Sequence, residues 1–210
     1  MNINKFYFEE YSRSISKLTL KSKKIFSEKA LFLDRDGVLI EDVHHINSPD
    51  KVILCPNIIN FLKGARKKGY DFIVITNQSS VSRSIISYAQ YKEITGKFLS
   101  LLSEDLYPDF ILSSFHLPNN ENNLQDFNWR KPGTGMIDYA FNLKKYNKLK
   151  SFIIGDKLTD LKAGYDYGIR EIIHVKSELH NDEISLVKSW SETNFIQLKQ
   201  VIKLNPEILF

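Results

Sequence analysis

From Lys29 almost to its end, the chain alternates short apolar runs with stretches in which apolar positions recur every three to four residues. The runs at 30–33 (ALFL), 70–77 (YDFIVITN), 109–114 (DFILSS), 150–156 (KSFIIGD) and 169–175 (IREIIHV) are short and largely apolar, which predicts strands buried on both faces. Helical spacing predicts helices over 56–69, 87–106, 134–147 and 160–168, with a terminal helix over 194–203. In the first, Ile58, Ile59, Phe61, Leu62 and Ala65 form an inner stripe, the lysines lie outside and Gly69 closes the helix. Strands alternating with helices predict an α/β fold in three layers, a central parallel sheet with helices on both faces. Residues 40–51 and the Asn- and Pro-containing 117–133 read as loops. No insertion is long enough to build a large cap domain.

In such a sheet, ligands bind beyond the carboxyl ends of the strands, so the residues at each exit carry the chemistry. They are Asp34 and Asp36, then Thr76-Asn77-Gln78, then Gly155-Asp156 with Asp160; Arg130-Lys131-Pro132 ends the second loop. Each piece has a plain structural explanation. Asp and Gly form turns, TNQ and GDxxxD cap helices, and Lys before Pro can start one. Together, in order, they offer carboxylates, a hydroxyl, an ammonium and a guanidinium, a set suited to a phosphate ester beside a hard dication. Magnesium needs only one or two protein carboxylates, which Asp34 and Asp156 can supply, and it would relieve the repulsion between Asp34 and Asp36. A carboxylate can attack phosphorus, and a second two residues on can protonate the leaving oxygen.

Composition narrows the setting. The chain has 210 residues, 42% apolar and 26% charged, enough for a full core. No apolar run approaches the ~20 residues of a membrane helix, and the N-terminus lacks the order of a secretory signal, so a cytoplasmic location is expected. Cys55 is the only cysteine, so neither an internal disulfide nor a cysteine-rich zinc site can form. Residues 1–29 hold seven Lys and Arg against three Glu, while the remainder holds 22 of each sign. The whole net charge of +4 thus lies in a basic extension, read as a solvated helical or loose arm, preceding a domain at 30–210. Contact of this arm with an acidic partner, nucleic acid or another subunit is the alternative.

FLDRDGVL, VITNQS, RKP and GDKLTD resemble, in order, the four motifs of the haloacid dehalogenase superfamily of phosphatases, over about 30–175. LDRDG, VITNQS, RKPGTGM and IGDKLTDLKAG look like the branch of D-glycero-D-manno-heptose 1,7-bisphosphate 7-phosphatases and histidinol-phosphatases. The resemblance implies a Rossmann-like fold with Asp34 as nucleophile and Asp36 as general acid/base. Magnesium would be held by Asp34, the Asp36 carbonyl and Asp156, with Asp160 behind them. Thr76, Asn77 and Lys131 would bind phosphate. Asp42, His45, Ser79, Arg83, Arg130 and Lys157 would meet the rest of the substrate. The expected activity is a magnesium-dependent phosphomonoesterase on a heptose bisphosphate, serving cell-surface polysaccharide synthesis. Histidinol phosphate and a nucleic-acid 3′-phosphate are alternative substrates, and an idle binding protein docking through the arm is the non-enzymatic one. A small phosphorylated metabolite is the expected partner, with no membrane and a monomer or weak oligomer.

The chain departs from the branch in three places. Its members often carry a structural zinc, but the matching positions read Ser114-Phe115-His116 and Phe127-Asn128-Trp129, so no structural zinc is expected. Phe115, Phe127 and Trp129 are suited to packing in its stead. Serines stand at 80 and 84 where relatives have glycine, and Val43-His44-His45-Ile46 replaces a Gly-Tyr-Val pattern. The last two changes fall where substrate is chosen.

Overall fold

The computed structural model describes residues 6–12, 15–20, 27–43, 46–118, 128–177 and 180–209. His44, His45 and Phe127 lie outside the described residues. Strands β1 (Phe6–Ser12), β2 (Ile15–Leu20), β3 (Lys29–Leu33), β4 (Tyr70–Asn77), β5 (Phe110–Ser114), β6 (Phe152–Gly155), β7 (Glu171–Val175) and β8 (Lys199–Val201) form one sheet. Its order is β1-β2-β5-β4-β3-β6-β7-β8. From β5 to β8 every pairing is parallel. The strand run turns back at β3, which has β4 on one side and β6 on the other. The β3/β6 crevice is therefore the topological switch point, where such sheets bind ligands.

Successive residues of the buried strands face opposite layers. Leu31, Leu33, Phe72, Val74 and Ile154 pack on one side against α1 (Ile58–Lys67) and α2 (Tyr88–Ser100). Ala30, Phe32, Ile73, Ile75 and Ile153 pack on the other. There they meet α3 (Gly135–Leu143), α4 (Leu158–Tyr167) and Val187 of α5 (Asn181–Thr193). This is why the strands read as unbroken apolar runs. Among the described residues, the segments from β3 to α1 and from β4 to α2 contain only turns, one short 3-10 turn and isolated bridges, with no cap domain.

Two expectations are corrected. The basic arm is neither helical nor loose where it is described. Its strands β1 and β2 pair antiparallel, and β2 pairs antiparallel with β5, making the sheet mixed. Ile15 and Leu18 of β2 are buried, so the arm joins the core. The helix predicted over 194–203 is absent; a helix earlier in the chain, α5, ends there and β8 follows. The stop is a left-handed turn at Phe195 (φ 54°). The Phe195 N–H donates to Glu192 O and the Ile196 N–H to Ser191 O, a Schellman closure. Phe195 sits where glycine is favoured, and its side chain is 95% exposed, so packing does not offset the strain. Phe195→Gly is expected to stabilise the chain by about 0.5–1 kcal/mol, measured as a higher denaturation midpoint at unchanged slope.

No helix among the described residues is long and apolar enough to cross a membrane. Phe115 and Trp129 are both buried but on opposite faces of the sheet, so they do not pack on each other as a zinc substitute. Phe115 meets Tyr91 edge-on at 5.0 Å, and Trp129 meets Tyr139 at 5.4 Å.

Candidate active site

Asp34 directly follows β3, and its N–H donates to Ile154 O of β6 at 3.0 Å, holding its side chain at the crevice. The chain then turns tightly. Gly37 takes φ 87°, and an added Cβ there would lie 2.5 Å from Asp156 Oδ2. Both the left-handed backbone and the close approach require glycine.

The centre of the site is one buried ammonium among acids. Lys131 Nζ lies 2.8 Å from Asp34 Oδ1 and 2.7 Å from Asp160 Oδ1, and it donates to Ile75 O at 2.8 Å. Burial alone would lower the Lys131 pKa, but Asp160 and Asp34 outweigh it and the pKa is raised. For Asp34, burial outweighs Lys131 and its pKa also rises. The Lys131 loop is clamped to the end of β4. Asn77 Oδ1 accepts from the Lys131 N–H and Asn77 Nδ2 donates to Lys131 O, each at 3.0 Å. The Asn77 side chain thus holds the loop.

Asp156, at the end of β6, is 1% exposed, and neither of its oxygens has a hydrogen-bond partner among the described residues. Lys157 Nζ and His180 Nε2 each stand 3.8 Å from Oδ2. Burial, then the charges of Asp160 and Asp34, pushes the Asp156 pKa well above the usual carboxylate value. Asp34, Asp156 and Asp160 bring oxygens within 4.8 Å of one another. A buried acid without donors, next to two others, is a set that a hard dication fits.

Around this centre is a cleft of ≈ 330 Å³. It gathers Asp34, Asp36, Asp42, Thr76, Asn77, Ser79, Arg130, Lys131, Lys157 and Asp160 from the predicted set. Asp36 is paired with Arg35 at 2.9 Å and accepts a bond from Gln78 Nε2, which also donates to Thr76 Oγ1 at 2.9 Å. Arg83 is exposed and is not among the lining residues. Its charge does reach Arg130, whose pKa is lowered first by burial and then by Arg83. In the same loop Ser84 takes φ 56°, a conformation that favours glycine.

Sequence reasoning missed Arg35, Thr159, His180 and Glu183, and named Gln78 at its strand exit without giving it a role; all five line the cleft. Glu183 lies in the overlooked helix α5, and His180 immediately precedes it. His180 Nε2 lies 2.9 Å from Asp42 Oδ2, which Lys157 Nζ also approaches at 3.2 Å. Glu183 Oε2 accepts from the Leu158 N–H at the start of α4. Asp182 and Glu183 after Asn181 are an acidic first turn, a legible signal for a helix start.

The family described as Polynucleotide kinase 3 phosphatase matches residues 29–183. The D-glycero-beta-D-manno-heptose-1,7-bisphosphate 7-phosphatase of Haemophilus influenzae is 32% identical over 151 residues, covering 71% of this chain and 82% of that protein. The D-glycero-alpha-D-manno-heptose-1,7-bisphosphate 7-phosphatase of Photorhabdus laumondii is 33% identical over 154 residues, covering 71% and 83%. Among solved structures, a HAD-like phosphatase of Mesorhizobium loti superposes with a TM-score of 0.73 at 27% identity, over 82% of this chain and 84% of that one. The D,D-heptose 1,7-bisphosphate phosphatase of B. bronchiseptica, solved with magnesium and phosphate, shares the fold with a TM-score of 0.71 at 22% identity, over 86% and 96%. By that match and by relatives above 30% identity, the chain belongs to the Polynucleotide kinase 3 phosphatase family, within the haloacid dehalogenase superfamily of phosphatases.

Proposed function

We propose that the chain is a magnesium-dependent phosphomonoesterase acting on a small sugar phosphate, most closely a D-glycero-D-manno-heptose 1,7-bisphosphate, at its 7-phosphate. The observation that carries this reading is the cluster of Asp34, Asp156 and Asp160 around Lys131 at the β3/β6 switch point, with Asp156 lacking any donor among the described residues. Two relatives above 30% identity are named for that substrate in its two anomeric forms, which supports the substrate class and leaves the anomer to experiment.

In this reading Asp34, Asp156 and the Asp36 carbonyl would hold magnesium, which would supply positive charge against the phosphoryl oxygens. The remaining work belongs to the side chains. Lys131 and Thr76 bind the transferred group, whose charge is spread over its outer oxygens in the transition state. An Asp34 carboxylate oxygen attacks phosphorus, and the bond to the ester oxygen breaks. Asp36 gives its proton to that departing oxygen, leaving an aspartyl-phosphate on Asp34. Asp36, now ionised, takes a proton from water as the water attacks the phosphorus, and Asp34 and inorganic phosphate are released. Arg130, Lys157 and Asp42 at the cleft mouth meet the distal part of the substrate. A charged sugar bisphosphate does not cross a membrane unaided, so this reading sets the reaction in the cytoplasm.

The test is a phosphate-release screen, with and without magnesium, against both heptose bisphosphate anomers, histidinol phosphate and 3′-phosphorylated oligonucleotides. Magnesium-dependent release from a heptose bisphosphate, changing little with salt, is the expected result. Preference for an oligonucleotide, with affinity falling steeply as salt rises, would replace this reading with 3′-end repair. The description of the matched family is the one observation favouring that second reading.

A further inference from the structure

We infer that strand β2, through Lys17, positions the loop that carries Arg130 and Lys131. The strand lies outside residues 29–183, so the matched family gives no reason to expect a role for it. In β2, Lys17 pairs with Leu112 of β5 and shares its face of the sheet, the face that also buries Trp129. Lys17 is 6% exposed. Its Nζ stands 3.8 Å from the centre of the Tyr139 ring and 5.5 Å from that of Trp129. A buried ammonium over two rings is held by their electron-rich faces.

Trp129 passes this contact to the site. It immediately precedes Arg130 and Lys131. Its Nε1 donates to Ser113 O of β5 at 3.2 Å, and Arg130 Nη1 donates to His116 O, just past β5, at 2.8 Å. The Lys131 backbone is then gripped on both sides by Asn77. The loop is thus fastened to β5 and β4, while Lys17 and Tyr139 both contact Trp129. Loss of those contacts lets Trp129 shift, and Lys131 Nζ, which must sit between Asp34 and Asp160, shifts with it. Lys17 is a positioning residue; among the described residues it does not line the cleft.

The kinetic consequence rests on the phosphatase reading, whereas the structural one does not. The experiment uses the full chain with Lys17→Met, Lys17→Arg and Tyr139→Leu. Two quantities are read: kcat and KM on the best substrate of the screen, and amide hydrogen exchange across 128–134. Lys17→Met is expected to lower kcat/KM about tenfold, mainly through kcat, because the Lys131 charge matters most in the transition state. It should also speed exchange at 128–134 while α1 and β4 keep their protection. Lys17→Arg, which retains the cation over the rings, should restore both, and Tyr139→Leu should reproduce the loss. Unchanged exchange at 128–134 in Lys17→Met would overturn the inference. So would a uniform loss of protection across the sheet, which would make Lys17 merely structural. If the wild-type chain released phosphate from no ester, the phosphatase reading would fall, and exchange at 128–134 would still decide whether Lys17 holds the loop.

Discussion

Asp34→Asn is expected to reduce phosphate release by roughly six orders of magnitude, the scale seen when a covalent nucleophile is removed, while leaving the fold intact. The amide keeps the size of the carboxylate but cannot form the acyl phosphate. The structure explains why stability should survive. Lys131 retains Asp160 at 2.7 Å and the Ile75 carbonyl at 2.8 Å, so no buried charge is left alone. Asp34 is itself a buried acid whose pKa is raised chiefly by burial, so removing its charge also removes a desolvation cost. Phosphate release and a thermal melt on the same preparation check both halves. A folded Asp34→Asn chain with wild-type turnover would refute its assignment as nucleophile.

Asp156→Asn should move activity and stability in opposite directions. Both Asp156 oxygens are buried without donors, and burial together with Asp160 and Asp34 raises the pKa. The folded value therefore lies above the unfolded one. The protonated acid suits the metal-free fold, and its stabilising contribution is complete below the ordinary carboxylate value. That contribution is lost as pH rises through the raised value. Metal-free wild-type chain should accordingly become less stable from acidic toward neutral pH, and magnesium should reverse the loss. At about 100 times its Kd the ion would contribute about 2.7 kcal/mol, a rise of roughly 5–10 °C in Tm for a chain of this size. Asp156→Asn should be more stable than wild type at neutral pH without metal, show almost no magnesium shift, and lose most of its activity. Differential scanning calorimetry across pH, with and without magnesium, measures all but the last. An undiminished magnesium shift in the variant would remove Asp156 from the metal set.

The parallel part of the sheet was legible because its strands are covered on both faces. Such a strand must be an apolar run, and the run must stop where it meets solvent or chemistry. The last residues of the runs at Asp34, Thr76 and Asp156 therefore marked the site before any distance was known. The arm was misread for the opposite reason. A charge count treats each lysine as solvated, yet Lys17 is buried over Tyr139 and Trp129. Its strand is stabilised by the free edge of β5, a partner far along the chain. Helix α5 escaped notice because Val187 is its one fully buried position among the described residues, too little for a clear stripe. Residues 194–203 carry a helical pattern, but the left-handed turn at Phe195 and the edge of β7 decide for a strand instead.

The sequence by itself determined the layered architecture of the parallel core and the order of chemical groups along its rim, because burial on both faces constrains every residue of those strands locally. Tertiary structure alone decided how the groups are paired. Lys131 and Asp34 are 97 residues apart, and His180 and Asp42 are 138 apart. Whether a buried acid meets an ammonium at hydrogen-bond distance, as Asp34 does, or has cations no nearer than 3.8 Å among the described residues, as with Asp156, depends on distances of a few ångströms in a low-dielectric crevice. Those distances are set only when strands from distant parts of the chain meet.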